Sequence, residues 1–413
     1  MKKKIIVRGP ALSRSGYGEQ TRFALRSLRA HEDEYDIYLL NTSWGQTGWL
    51  VEDDEERRWI DILLLKTQNY IANQGQFDLS LQITIPNEWE KMAPVNVGYT
   101  AGIESTHISP AWIEKSNMMD KIIVVSNHAK SGFDNTVFTV QNNKTGEVMN
   151  DYRVTTPVDV VNYPVRELDK NKLDIQLETD FNFLVVAQWG PRKNIENTIK
   201  WFVEEFIDVP VGLILKTSIA CHSVMDRYHT EKRLSGLLSK YKDRKCKVYL
   251  MHGDMTSAEI NSLYQHPKIK YMVSLTHGEG YGLPLFEAAY NGMPLIVPEW
   301  GGHLDFVYVK EKTKKSKKEK IQKMFLSVDY DIKNVQDEAV WKDVLEKDSK
   351  WCFAQQGSYK MKLREAYKNH SFHKKNAKKL QKYIIENFEE EKLQNQFVKQ
   401  LDVAVKGEEV FVV

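Results

Sequence analysis

The stretch Ser274-Leu275-Thr276-His277-Gly278-Glu279-Gly280-Tyr281-Gly282-Leu283-Pro284-Leu285-Phe286-Glu287-Ala288-Ala289 decides how this chain of 413 residues is read. It continues an apolar strand-like run from Ile269 and opens a helix. Gly278, Gly280 and Gly282 carry no Cβ, so the backbone can approach a ligand closely. The helix that follows offers unpaired N–H groups and the positive end of its dipole, which suits a diphosphate. Glu279 in the loop and Glu287 in the first turns of the helix bracket the segment. Carboxylates repel phosphate and bind hydroxyls. Their place beside a phosphate site points to a hydroxyl-rich group joined to a diphosphate, as in a nucleotide sugar.

Outward from this segment, strands alternate with helices. Strands are expected at residues 5–7, 37–40, 79–83, 95–100 and 121–125, with helices at about 19–28 and 55–66. A hairpin is expected at residues 139–154, turning at Asn142-Asn143-Lys144-Thr145-Gly146. Pro157 and Pro164 mark an interdomain linker. A second series has strands at 183–187, 211–215, 247–251 and 269–275, with a helix at 194–206. The pattern predicts α/β class, two doubly wound domains facing across a cleft. From about Val335 to Gln400 the chain reads as mostly helical and Lys-rich.

Composition narrows the class. The length suggests two to three domains. With 58 Lys+Arg against 56 Asp+Glu, net charge +2, bulk attraction to nucleic acid or membrane is disfavoured. Cys221, Cys246 and Cys352 are too few and too scattered for a disulfide framework, which fits a reducing, cytoplasmic compartment. No apolar run approaches the ~18 residues of a membrane span.

The Glu279-x7-Glu287 pair within Gly-Glu-Gly-Tyr-Gly-Leu-Pro, followed by Gly292-Met293-Pro294-Leu295-Ile296-Val297 and Gly301-Gly302, resembles the donor-site signature of retaining GT-B glycosyltransferases. The likeness runs along most of the chain. It includes Asn162-Tyr163-Pro164-Val165, Gly190-Pro191-Arg192-Lys193-Asn194, His252-Gly253 with Ile260, Leu263 and Tyr264, and the terminal helix around Phe388 to Phe397. Gly98-Tyr99-Thr100 through Glu104-Ser105-Thr106 to Pro110, with Ser126, is similar to a subgroup associated with bacterial surface-sugar clusters and bacteriophage genomes.

The resemblance implies a GT-B architecture: residues 1–165 on the acceptor side, 166–384 on the donor side, and 385–413 returning to the first domain. It implies a hexose transferred from a nucleoside-diphosphate sugar to an acceptor hydroxyl, with retention and with no metal or other cofactor. Glu287 would hold the ribose and Glu279 the transferred sugar. Lys193 would neutralise the leaving diphosphate, with Gly280, Tyr281, Gly282 and Leu283 around it. Gly16 and Gly18 would cover the phosphates from the first domain. Two positions depart from the family. An arginine common five residues before Lys193 is Gln188 here, and Arg192 or Lys216 could replace its charge. A first-domain histidine is absent, leaving Glu104 or His107 for its role, or neither.

Other features are weaker. Ser15-Gly16-Tyr17-Gly18 lacks the dinucleotide fingerprint, which argues against a dehydrogenase. Asp329-Tyr330-Asp331 reads as structural, and the eleven histidines show no metal-ligand spacing. Residues 310–323, with eight lysines and two glutamates, form a solvated segment or a basic patch for an anionic acceptor. Trp44-Gly45-Gln46-Thr47-Gly48-Trp49 lies in a loop that could stack on an acceptor. The acceptor could be a glycan, a glycolipid or a hydroxymethylated DNA base, the last in a host cytoplasm if the chain is phage-encoded. A phosphorylase, an epimerase or an inactive nucleotide-sugar-binding scaffold are the competing functions.

Overall fold

A computed structural model describes residues 2–141, 146–168, 173–312 and 319–403. The first half contains β1 (Lys3–Gly9), α1 (Gly16–Arg29), β2 (Tyr35–Asn41), α2 (Glu55–Ala72), β3 (Leu79–Gln82), β4 (Val95–Thr100), α3 (Pro110–Asn117), β5 (Lys121–Val124) and α4 (Asn127–Asn135). A small hairpin of β6 (Phe138–Gln141) and β7 (Val148–Tyr152) follows, then β8 (Val158–Val160). The turn expected at Asn142 to Thr145 lies outside the described residues. The second half runs β9 (Asn182–Val186), α5 (Ile195–Glu205), β10 (Gly212–Lys216), α6 (Val224–Leu238), β11 (Lys247–Met251), α7 (Ser257–Tyr264), β12 (Ile269–Val273), α8 (Leu283–Tyr290) and β13 (Leu295–Pro298). It closes with β14 (Tyr308–Lys312), β15 (Glu319–Lys323), β16 (Leu326–Val328), β17 (Tyr330–Asn334), β18 (Lys350–Ala354), α9 (Gln356–Lys368), α10 (His370–Asn387) and α11 (Glu390–Lys399).

Two parallel six-stranded sheets result. The first has order β2-β1-β3-β4-β5-β8, and the second β11-β10-β9-β12-β13-β16. These are the two common doubly wound orders, and each reverses direction once. The reversal lies between β1 and β3 in the first sheet and between β9 and β12 in the second. Ligands of such sheets bind outside the strand C-termini at the reversal. The Gly16 loop follows β1, the Lys193 loop follows β9, and the Glu279 loop follows β12. Topology alone therefore directs these three loops toward ligand sites.

An aromatic chain joins the halves beneath the cleft. Phe23 of α1 meets Tyr163 at 6.2 Å between ring centroids, Tyr163 meets Tyr281 at 5.1 Å, and Tyr281 meets Phe286 at 5.3 Å. Phe286 reaches Phe388 at 5.5 Å. Helix α11 returns to α1, where Phe397 lies 5.5 Å from Phe23 and 5.1 Å from Tyr99. The Val165 N–H donates to the Phe388 carbonyl at 2.8 Å, so the outgoing and returning segments are bonded where they pass.

Two expectations fail, and one boundary shifts by two residues. Residues 335–354 carry no α-helix, only a 3-10 turn at Asp337–Ala339: β17 and β18 pair antiparallel, and α-helix resumes only at Gln356. The Pro157–Pro164 stretch is not all linker, because Val158–Val160 forms the edge strand of the first sheet. The last helix begins at Glu390, after a break at Phe388. Of the basic patch at 310–323, residues 313–318 lie outside the described residues, and the rest belongs to the β14–β15 hairpin. Lys323 of that hairpin is paired with Glu299. Asp331 is engaged by Lys333 and Gln355, at 3.0 and 3.1 Å. The three cysteines are free. No helix among the described residues is long and apolar enough to cross a membrane.

Phe397 is fully buried. Its replacement by alanine is expected to cost about 3–5 kcal/mol through lost burial and the cavity left behind. Urea unfolding should show a lower midpoint with an unchanged slope.

Candidate functional site

Glu279 is the centre of the second-domain cleft. The strand–loop–helix sequence places it between β12 and α8, and its side chain is 11% exposed. Burial alone would push its carboxyl up. The Lys193 ammonium at 2.6 Å and the Arg192 guanidinium at 3.3 Å outweigh that and hold it at about 2. Both cations come from the turn after β9, where Pro191–Lys193 form one 3-10 turn and Asn194 adopts φ +50°. That turn is fastened to the Glu279 loop, since the His277 N–H donates to the Arg192 carbonyl at 2.8 Å. Arg192 also donates to the Gly278 carbonyl at 2.6 Å.

The same guanidinium crosses the cleft. Its second nitrogen lies 3.0 Å from Glu104 of the first domain. Two carboxylates and two cations thus form a neutral set with one member from across the cleft. Glu104 is placed in this set, whereas His107 faces Asp348 and Ser349 at 3.3 and 3.2 Å and belongs to an interdomain contact. Gln188 is exposed and donates to the Ile219 carbonyl at 2.9 Å; Arg192 is the arginine beside Lys193 and Glu279. Lys216 is buried and donates to the Gly253 carbonyl at 2.5 Å, lining a cavity of about 250 Å³ with His252 and Met255.

Helix α8 begins at Gly282, whose φ of +88° only glycine adopts cheaply, and no side chain caps it. Leu283 occupies its first position, with Pro284 next. One turn along, Glu287 is half-buried and accepts from the Tyr264 hydroxyl at 2.9 Å. Burial raises its carboxyl to about 7 against the pull of that hydrogen bond, and nearby Glu19 adds to the rise. Behind the loop lies a histidine to which no spacing in the sequence points. His303 is fully buried, its Nε2 donates to the Pro298 carbonyl at 2.9 Å, and its Nδ1 has no partner.

The glycines divide by role. A Cβ at Gly278 would lie 2.3 Å from the Glu104 carbonyl oxygen, and one at Gly280 would lie 2.6 Å from that of Ala101. These two make room for the first domain's backbone rather than for a ligand. Ser126 adds a hydrogen bond to the Gly280 carbonyl at 2.5 Å. The Tyr281 ring is buried against Tyr163, Phe286 and Phe306, so its side chain faces the core and not the cleft. In the first domain, Gly16 is exposed with open space at its Cβ position. Gly18 is otherwise occupied: its N–H donates to the capping Ser15, and a Cβ there would lie 1.9 Å from the Ser13 carbonyl oxygen. Trp44 stacks on Tyr17 at 4.0 Å, while Trp49 is 52% exposed.

Glu287 and Glu279 should leave opposite marks on stability. A carboxyl raised from 4.5 to about 7 makes the native state bind the extra proton between those values, so stability falls as pH rises through that window. Glu279, depressed to about 2, contributes stability that is present above about 4.5 and lost as pH falls toward 2. Denaturation of Glu287→Gln at pH 5 and pH 8 should show the decline reduced by about 2 kcal/mol relative to wild type.

No known protein family matches the sequence, and no curated protein matches it either. Solved structures do. The chain is similar to sucrose-phosphate synthase from Thermosynechococcus elongatus, with TM-score 0.60 and 12% identity over 96% of this chain and 98% of that one. It is similar to a glycosyltransferase from Rickettsia africae, with TM-score 0.58 and 11% identity over 98% and 100%. A third is Anabaena HepE, solved with UDP and glucose, with TM-score 0.57 and 12% identity over 97% and 99%. At such identities the likeness speaks for architecture, and the two facing parallel sheets with their returning helix are the GT-B fold these glycosyltransferases share.

Proposed function

We propose that the chain is a retaining glycosyltransferase that moves a hexose from a nucleoside-diphosphate sugar to an acceptor hydroxyl, in the cytoplasm and without a catalytic metal. The observation that carries this reading is the buried Glu279 carboxylate, ionised between Lys193 and Arg192 beside the uncapped start of α8. An ionised carboxylate accepts hydrogen bonds from sugar hydroxyls, while the two cations and the Leu283 N–H at the positive end of α8 favour a diphosphate. HepE, of the same fold, was solved with UDP-glucose.

Each role falls to a named group. Glu279 holds hydroxyls of the transferred hexose, and Glu287 the ribose. Lys193 and Arg192 take up charge on the departing diphosphate. Preorganised cations act strongly there because the site is shielded from water. The bond between the anomeric carbon and the phosphate oxygen breaks, and the acceptor oxygen bonds to the same face of that carbon. The acceptor's proton passes to the released diphosphate. Residues 1–165 supply the acceptor side, 166–384 the donor side, and the segment from 385 ties the two.

Purified protein incubated with UDP-, GDP-, ADP- and TDP-sugars is expected to release nucleoside diphosphate from one of them. Glu287→Ala should abolish donor binding, and Lys193→Met should lower turnover by about 10²–10³-fold. Silence across the panel, with no thermal shift from any nucleotide, overturns the reading. Supplying a glycan, a glycolipid or hydroxymethylated DNA in turn then identifies the acceptor.

A further inference from the structure

Away from Glu279, the loops at the ends of β10 and β11 bring three metal-ligating side chains together. One ligand atom each from His222, Asp226 and His252 lies within 4.8 Å of the other two. The side chains of His252 and Asp226 are 3% and 5% exposed, and that of His222 is 20% exposed. His252 Nε2 is 3.1 Å from Asp226 Oδ2. An ordinary aspartate–histidine hydrogen bond accounts for those two residues, while His222 Nε2 meets Ser218 Oγ at a long 3.5 Å. His222 is held at φ +58°, and its Nδ1 is buried with no partner.

We propose that His222, Asp226 and His252 form a binding site for a divalent transition-metal ion, with zinc the best match to the donor set. Two imidazoles and a carboxylate are a common zinc triad. Asp254 Oδ1, 4.0 Å from His222 Nε2, is within reach as a fourth ligand. The supporting shell is already built. Asp226 Oδ1 accepts the N–H groups of Ile219 and Ala220 at 3.0 and 3.2 Å, and Oδ2 accepts that of His222 at 3.0 Å. Such bonds orient a ligating carboxylate.

An entry path exists, because His252 lines the 250 Å³ cavity shared with Lys216 and Gly253. The Lys216 ammonium in that cavity is bound to the Gly253 carbonyl, and Arg14 stands 3.8 Å from Asp254, so Asp254 already faces a cation. For tetrahedral coordination with bonds of about 2.1 Å, the ligand atoms must stand about 3.4 Å apart, so His222 must draw in while the 3.1 Å His252–Asp226 pair parts slightly. Side-chain rotation in the His222 loop supplies that contraction. The bound ion clasps the β10–α6 loop to the end of β11. Lys193 and Glu279 follow β9 and β12, so the triad stands on other segments than those two groups, and the inference stands independently of glycosyl transfer.

Tag-free protein stripped with chelator and titrated with Co²⁺ tests this. Expected are a visible absorption band of tetrahedral intensity, its displacement by Zn²⁺, and a rise in Tm with Zn²⁺. His222→Gln and His252→Gln should weaken binding at least tenfold, while the metal-free His222→Gln protein melts close to wild type. Absence of a tetrahedral Co²⁺ band, or a Zn²⁺ shift of Tm that persists in both variants, overturns the site.

Discussion

A buried carboxylate must have its charge matched or lose it, and the cleft is organised around how Glu279 meets that demand. Its partners come from the turn after β9, and one of them, Arg192, also holds Glu104 from across the cleft. Removing one member of such a set typically costs about 3–5 kcal/mol, because a charge is left stranded in a dry place. Three loops from two domains are therefore fixed by one electrostatic requirement. The strained Asn194 and the hydrogen bond from His277 to the Arg192 carbonyl keep the cations in place before any ligand arrives.

The Gly278–Gly282 loop answers a second constraint, close packing against the first domain. Gly278 and Gly280 lie where any side chain would collide with the backbone at Glu104 and Ala101, and Gly302 lies against the Gly280 carbonyl. Tyr281, between them in sequence, turns the other way into the aromatic chain. One short segment thus presents a carboxylate to the cleft, bare backbone to the opposite domain and a ring to the core.

Much of this was legible in the sequence. The order of strand, glycine loop and helix around Glu279 identified the second sheet, and alternation identified the first. What stayed hidden has physical reasons. A missing Cβ looks the same whether a ligand or another stretch of chain fills the space, so Gly278 and Gly280 read as phosphate glycines. The Lys- and Glu-rich composition of residues 335–354 resembles a solvated helix, yet it forms β18 and the connection leading to it. The edge strand at Val158–Val160 is three residues long, too short for a period to show between two prolines. His222 and His252 lie thirty positions apart in sequence and meet only because parallel neighbours β10 and β11 end side by side.

The bond between Val165 and Phe388 bears on how the two halves can move. The chain passes between the sheets twice, once outward and once on its return, and that bond joins the two passages. A single tether would allow swivelling in any direction. Two tethers fastened together define an axis, as a pair of hinges does for a door, and they leave one easy rotation. Twisting one half over the other must part the 165–388 bond, and the Arg192–Glu104 pair joins the same two halves across the cleft. That motion of the halves therefore has to break contacts at both places.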